Sequence, residues 1–499
     1  MAKYSNNGWS MMSQRQRMSP FPNYMSMESV CKEMKKFVGA NLKDVLIFFK
    51  GNMMFVFQDS QAHEDAGKKI ADRVEKNPLM YRRLVKQEDI LGNRLIKFAK
   101  LVGKQVNSKT SNRRLYEWFA QYDKFYKNVY AAYGSVWTME DHLVAKLYDI
   151  VHKRWQDGNK ISNTLNDLTK QPLAMVATIE RQSLLKIAVK ILSQSSLLKL
   201  IQTGSLEDIK KNKVLSKLIT THEKSFFWIT RDYEDPILTY EDIVNKLKLA
   251  LKEDPKKQQK ELTDRLSGDL KERKRLEKEL KLNKKELALF ASMRDAANLK
   301  EQRKKFVSQS LYYFDSVLNE IGKRLFLSVK QVRFLRTSDA YDALVKNKDL
   351  TADLNERYEL SVWHVGTTGT KIIVDKEAQK MFDEFCQVDK NATEFTGMAV
   401  SPGVARGPAK IVLNPNECDK VIKGDIIVSV QVVPSFSTAI IKSAGIVCDG
   451  GHGITSHPAT LSREAGIPCV IQTRFVREVV KDGDILEVDG YKGIVKIIK

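Results

Sequence analysis

The stretch Gly450-Gly451-His452-Gly453-Ile454-Thr455-Ser456-His457-Pro458-Ala459-Thr460-Leu461-Ser462-Arg463-Glu464-Ala465-Gly466-Ile467-Pro468 decides how the C-terminal part of this chain is read. It consists of a glycine-rich turn, a Thr-Ser pair, a histidine, and a proline where a short helix would begin. Proline suits a first helical position because its missing N–H would be unpaired there anyway. Gly466 reads as the helix stop, and Ile467-Pro468-Cys469-Val470-Ile471 as a buried strand after it. His457 is thereby presented at the positive end of a short helix, beside free backbone N–H groups that favour an anion of phosphate type. A histidine so placed is suited to carry a phosphoryl group on a ring nitrogen. The plain alternative is a satisfied, non-reactive histidine. His452, flanked by glycines, reads as a surface-loop residue.

Thr455-Ser456-His457, then Ala459 and Arg463-Glu464-Ala465-Gly466-Ile467-Pro468, resembles the phosphohistidine signature of the phosphoenolpyruvate-utilising enzymes. That family includes phosphoenolpyruvate synthase, pyruvate phosphate dikinase and rifampicin phosphotransferase. Three upstream pieces carry the resemblance further: Gly397-Met398-Ala399-Val400-Ser401-Pro402-Gly403, Gly424-Asp425-Ile426-Ile427-Val428 and Gly445-Ile446-Val447-Cys448-Asp449. Pro458 and Ser462 stand where the family usually has small residues such as alanine. The resemblance implies a swivelling β/β/α phosphohistidine domain over 394–499, with His457 as the catalytic residue. It also implies Thr455, Ser456, Arg463, Gly451 and Gly453 as phosphate-binding positions; Arg463 either neutralises phosphate charge or pairs with Glu464.

A chain of 499 residues exceeds one compact core and suggests about two to four domains. No apolar run approaches the roughly 18 uninterrupted residues of a membrane span, and the polar, Met/Ser-rich start has no signal-peptide core. A cytoplasmic location is the resulting expectation. Five scattered cysteines without a Cys-x-x-Cys argue against a disulfide framework or a zinc site, so no metal ligands are assigned.

The formal charge of +22 invites a nucleic-acid reading. Its distribution opposes that reading, since residues 391–499 hold 12 Lys/Arg against 11 Asp/Glu. The surplus elsewhere is interleaved with acids along helices, as in Lys271-Glu272-Arg273-Lys274-Arg275, the pattern of a solvated face.

Ahead of the histidine domain, residues 1–27 read as a poorly ordered segment and 28–386 as a mostly α-helical, acceptor-binding region. Val45 to Phe49 and Met53 to Phe57, flanking Lys50-Gly51-Asn52, read as a small β-hairpin. A dense aromatic series runs from Tyr116 to Trp137, in which Trp118, Tyr122, Phe125 and Tyr133 share a helical face. It is either a bulky core face or the wall of an apolar pocket. His222, beside Phe226-Phe227-Trp228, either helps hold a substrate or pairs with a neighbouring helix. On the pocket reading, Trp118, Tyr122, His222 and Trp228 are the acceptor-binding candidates.

Asp254-Pro255 opens a charged helix with Leu262, Leu266, Leu276, Leu280 and Leu287 as its seam. Val307, Leu311, Phe314, Leu318, Ile321 and Leu325 form a second stripe, and together they predict a long helical hairpin over about 255–327. Tyr358 to His364 and Lys371 to Val374 read as strands about a Gly366–Gly369 turn. Asp375 is expected to cap a helix from Lys376 to Phe385, and 387–393 reads as the linker into the histidine domain. The stretch from Phe314 to Trp363 also resembles, more loosely, the helical substrate-binding region of the rifampicin phosphotransferase group.

No part reads as ATP-grasp or as a pyruvate-binding barrel. The resemblance therefore implies the phosphocarrier and acceptor-binding component of a split, dikinase-like phosphotransferase. A separate ATP-grasp protein would supply ATP and Mg2+, no cofactor would be held firmly by this chain, and a small organic molecule would accept the phosphate. A non-catalytic scaffold and a basic polyanion-binding helical protein remain alternatives, with no membrane partner expected.

Overall fold

The computed structural model describes residues 8–498 apart from 17, 171–174, 232, 387, 434–435 and 452–455, and leaves aside the side chains of 16, 158, 159, 162, 415 and 437. It divides into two compact units. One comprises Met1–Ile70, Phe98–Asp141 and Phe314–Lys499, the other Ala71–Lys97 and His142–Tyr313. Among the described residues no helix is long and apolar enough to cross a membrane.

In the first unit the expected hairpin is the centre of a larger sheet. Its strands are β1 (Trp9–Gln16), β2 (Asp44–Lys50), β3 (Met53–Asp59), β4 (Ser361–Gly366) and β5 (Thr370–Ile373), in the all-antiparallel order β1-β3-β2-β4-β5. Gly51, at φ +57, makes the tight turn between β2 and β3. Five consecutive residues are buried in each of these two strands, because both sheet faces are covered. Phe48, Phe55 and Phe57 pack towards Ala378 and Cys386. On the opposite face Phe49 meets Trp363, which meets Tyr24.

The N-terminal segment corrects the expectation of disorder. Trp9–Gln16 is an edge strand, and Pro20–Lys32 is a helix with Phe21, Tyr24, Met25 and Val30 no more than 2% exposed. Such a helix shows no amphipathic period because nearly its whole circumference is enclosed. At the other end of the sheet, Val374 rather than Asp375 caps the Asp375–Phe385 helix.

The Asn112–His152 helix carries the aromatic series. Tyr122 stacks on Phe314 with centroids 4.0 Å apart and lies 5.6 Å from Phe21.

In the second unit, helices Val176–Leu192, Ser195–Thr203, Lys213–Phe226 and Tyr240–Lys252 share one apolar core. Thr239 and Asp242 cap the last of these reciprocally. The expected helical hairpin comprises Pro255–Glu279 and Lys284–Leu325. Leu287 therefore belongs to the second helix, because Asn283 accepts from the N–H groups of Lys285 and Glu286 and starts it there.

The C-terminal region forms an eight-stranded sheet from β6 (Glu394–Thr396), β7 (Met398–Ser401), β8 (Val404–Ile411), β9 (Ile426–Ser429), β10 (Gly445–Cys448), β11 (Cys469–Ile471), β12 (Ile485–Asp489) and β13 (Ile494–Ile498), ordered β6-β13-β12-β8-β9-β10-β11-β7. The neighbours from β8 through β11 are parallel. β9, β10 and β11 are buried at every residue, with one apolar cluster around Ile427, Ile446 and Cys469 and another around Val428, Val447 and Val470. The His457–Ala465 helix is the crossover from β10 to β11.

Candidate functional site

The histidine loop leaves the sheet at the carboxyl end of β10, the edge where open parallel sheets hold their ligands. It is pinned on both sides. Asp449 N donates to Ser429 O at 3.0 Å and Gly450 N to Val430 O at 2.9 Å, while Gln472 N and Nε2 reach the carbonyls of Gly450 and Gly451 at 3.2 Å. Gly451 has φ +122, a region closed to most side chains, and a Cβ there would stand 3.0 Å from Ile471 Cδ1.

The helix begins at His457 itself, one residue earlier than the proline suggests, with Ser456 as N-cap at φ −68 and ψ 159. Thr460 N donates to Ser456 O at 3.0 Å, the first bond of the helical ladder. The N–H groups before it have no intrahelical acceptor, and Pro458 contributes none. The C-terminal end is a left-handed Gly466 at φ 69, whose N–H reaches Arg463 O at 3.3 Å, while Ile467 N reaches Ser462 O at 3.0 Å.

Ser456 Oγ is buried, makes no capping bond, and has no hydrogen-bond partner among the described residues. A buried hydroxyl is ordinarily partnered, so this one stands ready for an acceptor. His457 is half-buried, directly beside it in sequence. Of the other expected phosphate-binding positions, Thr455 and Gly453 lie outside the described residues, as does His452. Arg463 is half-buried and its Nε donates to Ala459 O at 2.8 Å, so this nitrogen braces its own helix. Burial holds its guanidinium below the ordinary arginine range, with Cys469, Glu140 and Glu464 acting the other way.

Asp449 escaped the sequence reading. Complete enclosure pushes its carboxyl up to about 7, although Arg477 and Thr473 pull it down. The signal for it was an aspartate directly after an all-apolar strand and before two glycines.

The acceptor candidates are divided between the two units. Trp118 and Tyr122 belong to the first unit, His222 and Trp228 to the second. Tyr122 is 0% and Trp118 7% exposed, which makes the aromatic series a core face. His222 pairs through Nε2 with Glu180 at 3.2 Å and through Nδ1 with Ser183 at 2.9 Å. Trp228 is 3% exposed and donates to Ser225 O at 3.0 Å. All four are thus engaged in packing. Among the described residues no group of three or more His, Cys, Asp or Glu side chains could hold a metal ion.

A parallel β/α layer presenting a histidine at the start of its crossover helix is the class of domain this geometry defines. Residues 421–493 match the family described as PEP-utilising enzyme, mobile domain. The chain is 38% identical over 122 residues to a probable phosphoenolpyruvate synthase of Archaeoglobus fulgidus, covering 24% of this chain and 16% of that one. It is 40% identical over 119 residues to the phosphoenolpyruvate synthase of Pyrococcus furiosus (23% and 14%). It is 36% identical over 124 residues to the uncharacterized phosphotransferase YvkC of Bacillus subtilis (25% and 15%). The matched stretch thus spans about one sixth of the length of these relatives.

Proposed function

We propose that the protein is the phosphocarrier and acceptor-binding component of a phosphotransferase, with His457 as the carrier. The observation that carries this reading is the pairing, at one helix start, of the half-buried His457 with the buried Ser456 hydroxyl, which has no hydrogen-bond partner among the described residues. A ring nitrogen of His457 attacks a phosphorus of ATP presented by a separate ATP-grasp protein. The N–P bond forms as the P–O bond to the leaving phosphate breaks, and the imidazole sheds its proton to solvent.

The helix N–H groups, the Ser456 hydroxyl and, within the loop, Thr455 hold the phosphoryl oxygens. Arg463 braces the helix that aims them. The hydroxyl of an organic acceptor then attacks phosphorus, the N–P bond breaks, and the histidine is regenerated.

The test is incubation of the purified full-length chain with ATP, Mg2+ and extract of its native host, followed by intact mass measurement. One acid-labile, alkali-stable phosphoryl group is expected on the wild type and none on His457→Ala. Equal labelling of both proteins would sink the mechanism. Co-purification from the native host tests for the ATP-grasp partner.

A further inference from the structure

Outside the histidine loop, a cleft of about 600 Å³ opens within the first unit where residues 388–396 pass between the five-stranded sheet and the mobile domain. Its lining includes Trp9, Phe57 and Phe385 together with Thr473, Phe475 and Val479, and Phe475 packs into the same apolar cluster as the first three. Phe385 stands edge-on to Trp9, 6.3 Å away at 71°, and to Phe57, 5.1 Å away at 79°. The three rings therefore form a fixed corner, of which Trp9 and Phe385 remain half-buried rather than enclosed. The volume falls within the range of small-molecule sites.

The charge around the cleft is one-sided, with Glu384, Asp389 and Glu394 against Arg474. Asp389 uses one oxygen to accept from Asn391 N at 2.9 Å and keeps further acceptor capacity. Glu394 pairs with Lys496 at 3.0 Å, but both side chains are about half exposed, and such a pair is weakly held. Aromatic faces and carboxylates together select one ligand chemistry, a cation with an apolar body.

We infer that this cleft is a binding site for an organic cation carrying a flat apolar group, of the arylalkylamine class. The ammonium sits among the carboxylates and the ring against Trp9 and Phe475. The site is independent of whether His457 carries a phosphate.

Calorimetric titration of the full-length protein with 2-phenylethylamine, against the neutral 2-phenylethanol and the anionic phenylacetate, tests this. The amine is expected to bind saturably and to slow tryptic cleavage at the exposed Lys390, with phenylacetate at least about tenfold weaker. Trp9→Ala and the double variant Glu384→Gln/Asp389→Asn are each expected to weaken the amine about tenfold. Phe475→Ala, at a lining residue outside β1, gives the same reading should loss of Trp9 disturb that strand. Absence of saturable binding, equal binding of amine and carboxylate, or full affinity in both wall variants would overturn the inference.

Discussion

Asp449 and Arg477 meet behind the loop that carries His457, with Arg477 Nε 3.8 Å from Asp449 Oδ2 and the Thr473 hydroxyl 3.2 Å from Asp449 Oδ1. The enclosure outweighs the cation and holds the Asp449 carboxyl up at about 7, against an ordinary value of 3.8. The folded chain thus keeps a proton that the unfolded chain has already released between those two values. Stability from this residue is full below pH about 4, falls as pH rises to about 7, and is level beyond it. Asp449→Asn is expected to flatten that decline, read as a smaller fall in Tm between pH 5 and pH 8 than in the wild type. An unchanged slope would mean that Asp449 is ionised in the folded protein throughout.

Ser456→Ala separates function from stability at the same loop. The hydroxyl has no partner among the described residues, so its loss is expected to change stability by less than about 1 kcal/mol. Transfer to His457 should nonetheless slow by about tenfold or more, because a donor to the phosphoryl oxygens is gone. Denaturant unfolding and the rate of phosphoryl incorporation, measured on one preparation, check both halves.

Gly450→Ala tests how closely the histidine loop approaches its surroundings. A Cβ at this position would stand 2.5 Å from Gln14 O and 3.0 Å from Val430 O, both backbone atoms that cannot rotate away. The expected loss is about 1–3 kcal/mol in chemical denaturation. Wild-type stability in this variant would show that the approach to β1 is not kept in solution.

His222→Ala distinguishes a packing histidine from an acceptor ligand. Burial pushes the Glu180 carboxyl up, yet His222 and Lys246 outweigh it and hold the group below its ordinary range. That stabilisation is present above the unfolded carboxylate range and is lost as pH falls through the folded value. The variant is expected to lose about 2 kcal/mol near neutral pH, with a weaker dependence on acidification. Labelling of His457 should be unchanged. A stable variant with impaired transfer to acceptor would return His222 to the binding site.

Much of the mobile domain was legible because its signals are local. Glycines mark the turns at 450–451 and 466, Ser456 and Pro458 mark a helix start, and all-apolar strands such as Ile446-Val447-Cys448 mark a sheet covered on both faces. The same locality made Gly51 readable as a hairpin turn and Asn283 overlooked as a helix start, since its capping role depends on which N–H groups its side chain reaches.

What the sequence alone determined is the chemistry available at each position: a histidine at a helix start, a tight turn, a helix with an aromatic face. Only the tertiary structure decided what those faces meet. Trp9–Gln16 and Pro20–Lys32 became ordered by joining and covering a sheet whose β4 lies some three hundred residues along the chain, and Tyr122 was committed to Phe21 and Phe314 rather than to a cavity. The physical reason is that turn and cap preferences arise among neighbouring residues. Burial on every side of an element leaves no period in its sequence, and the choice between core and pocket rests on partners brought from far away.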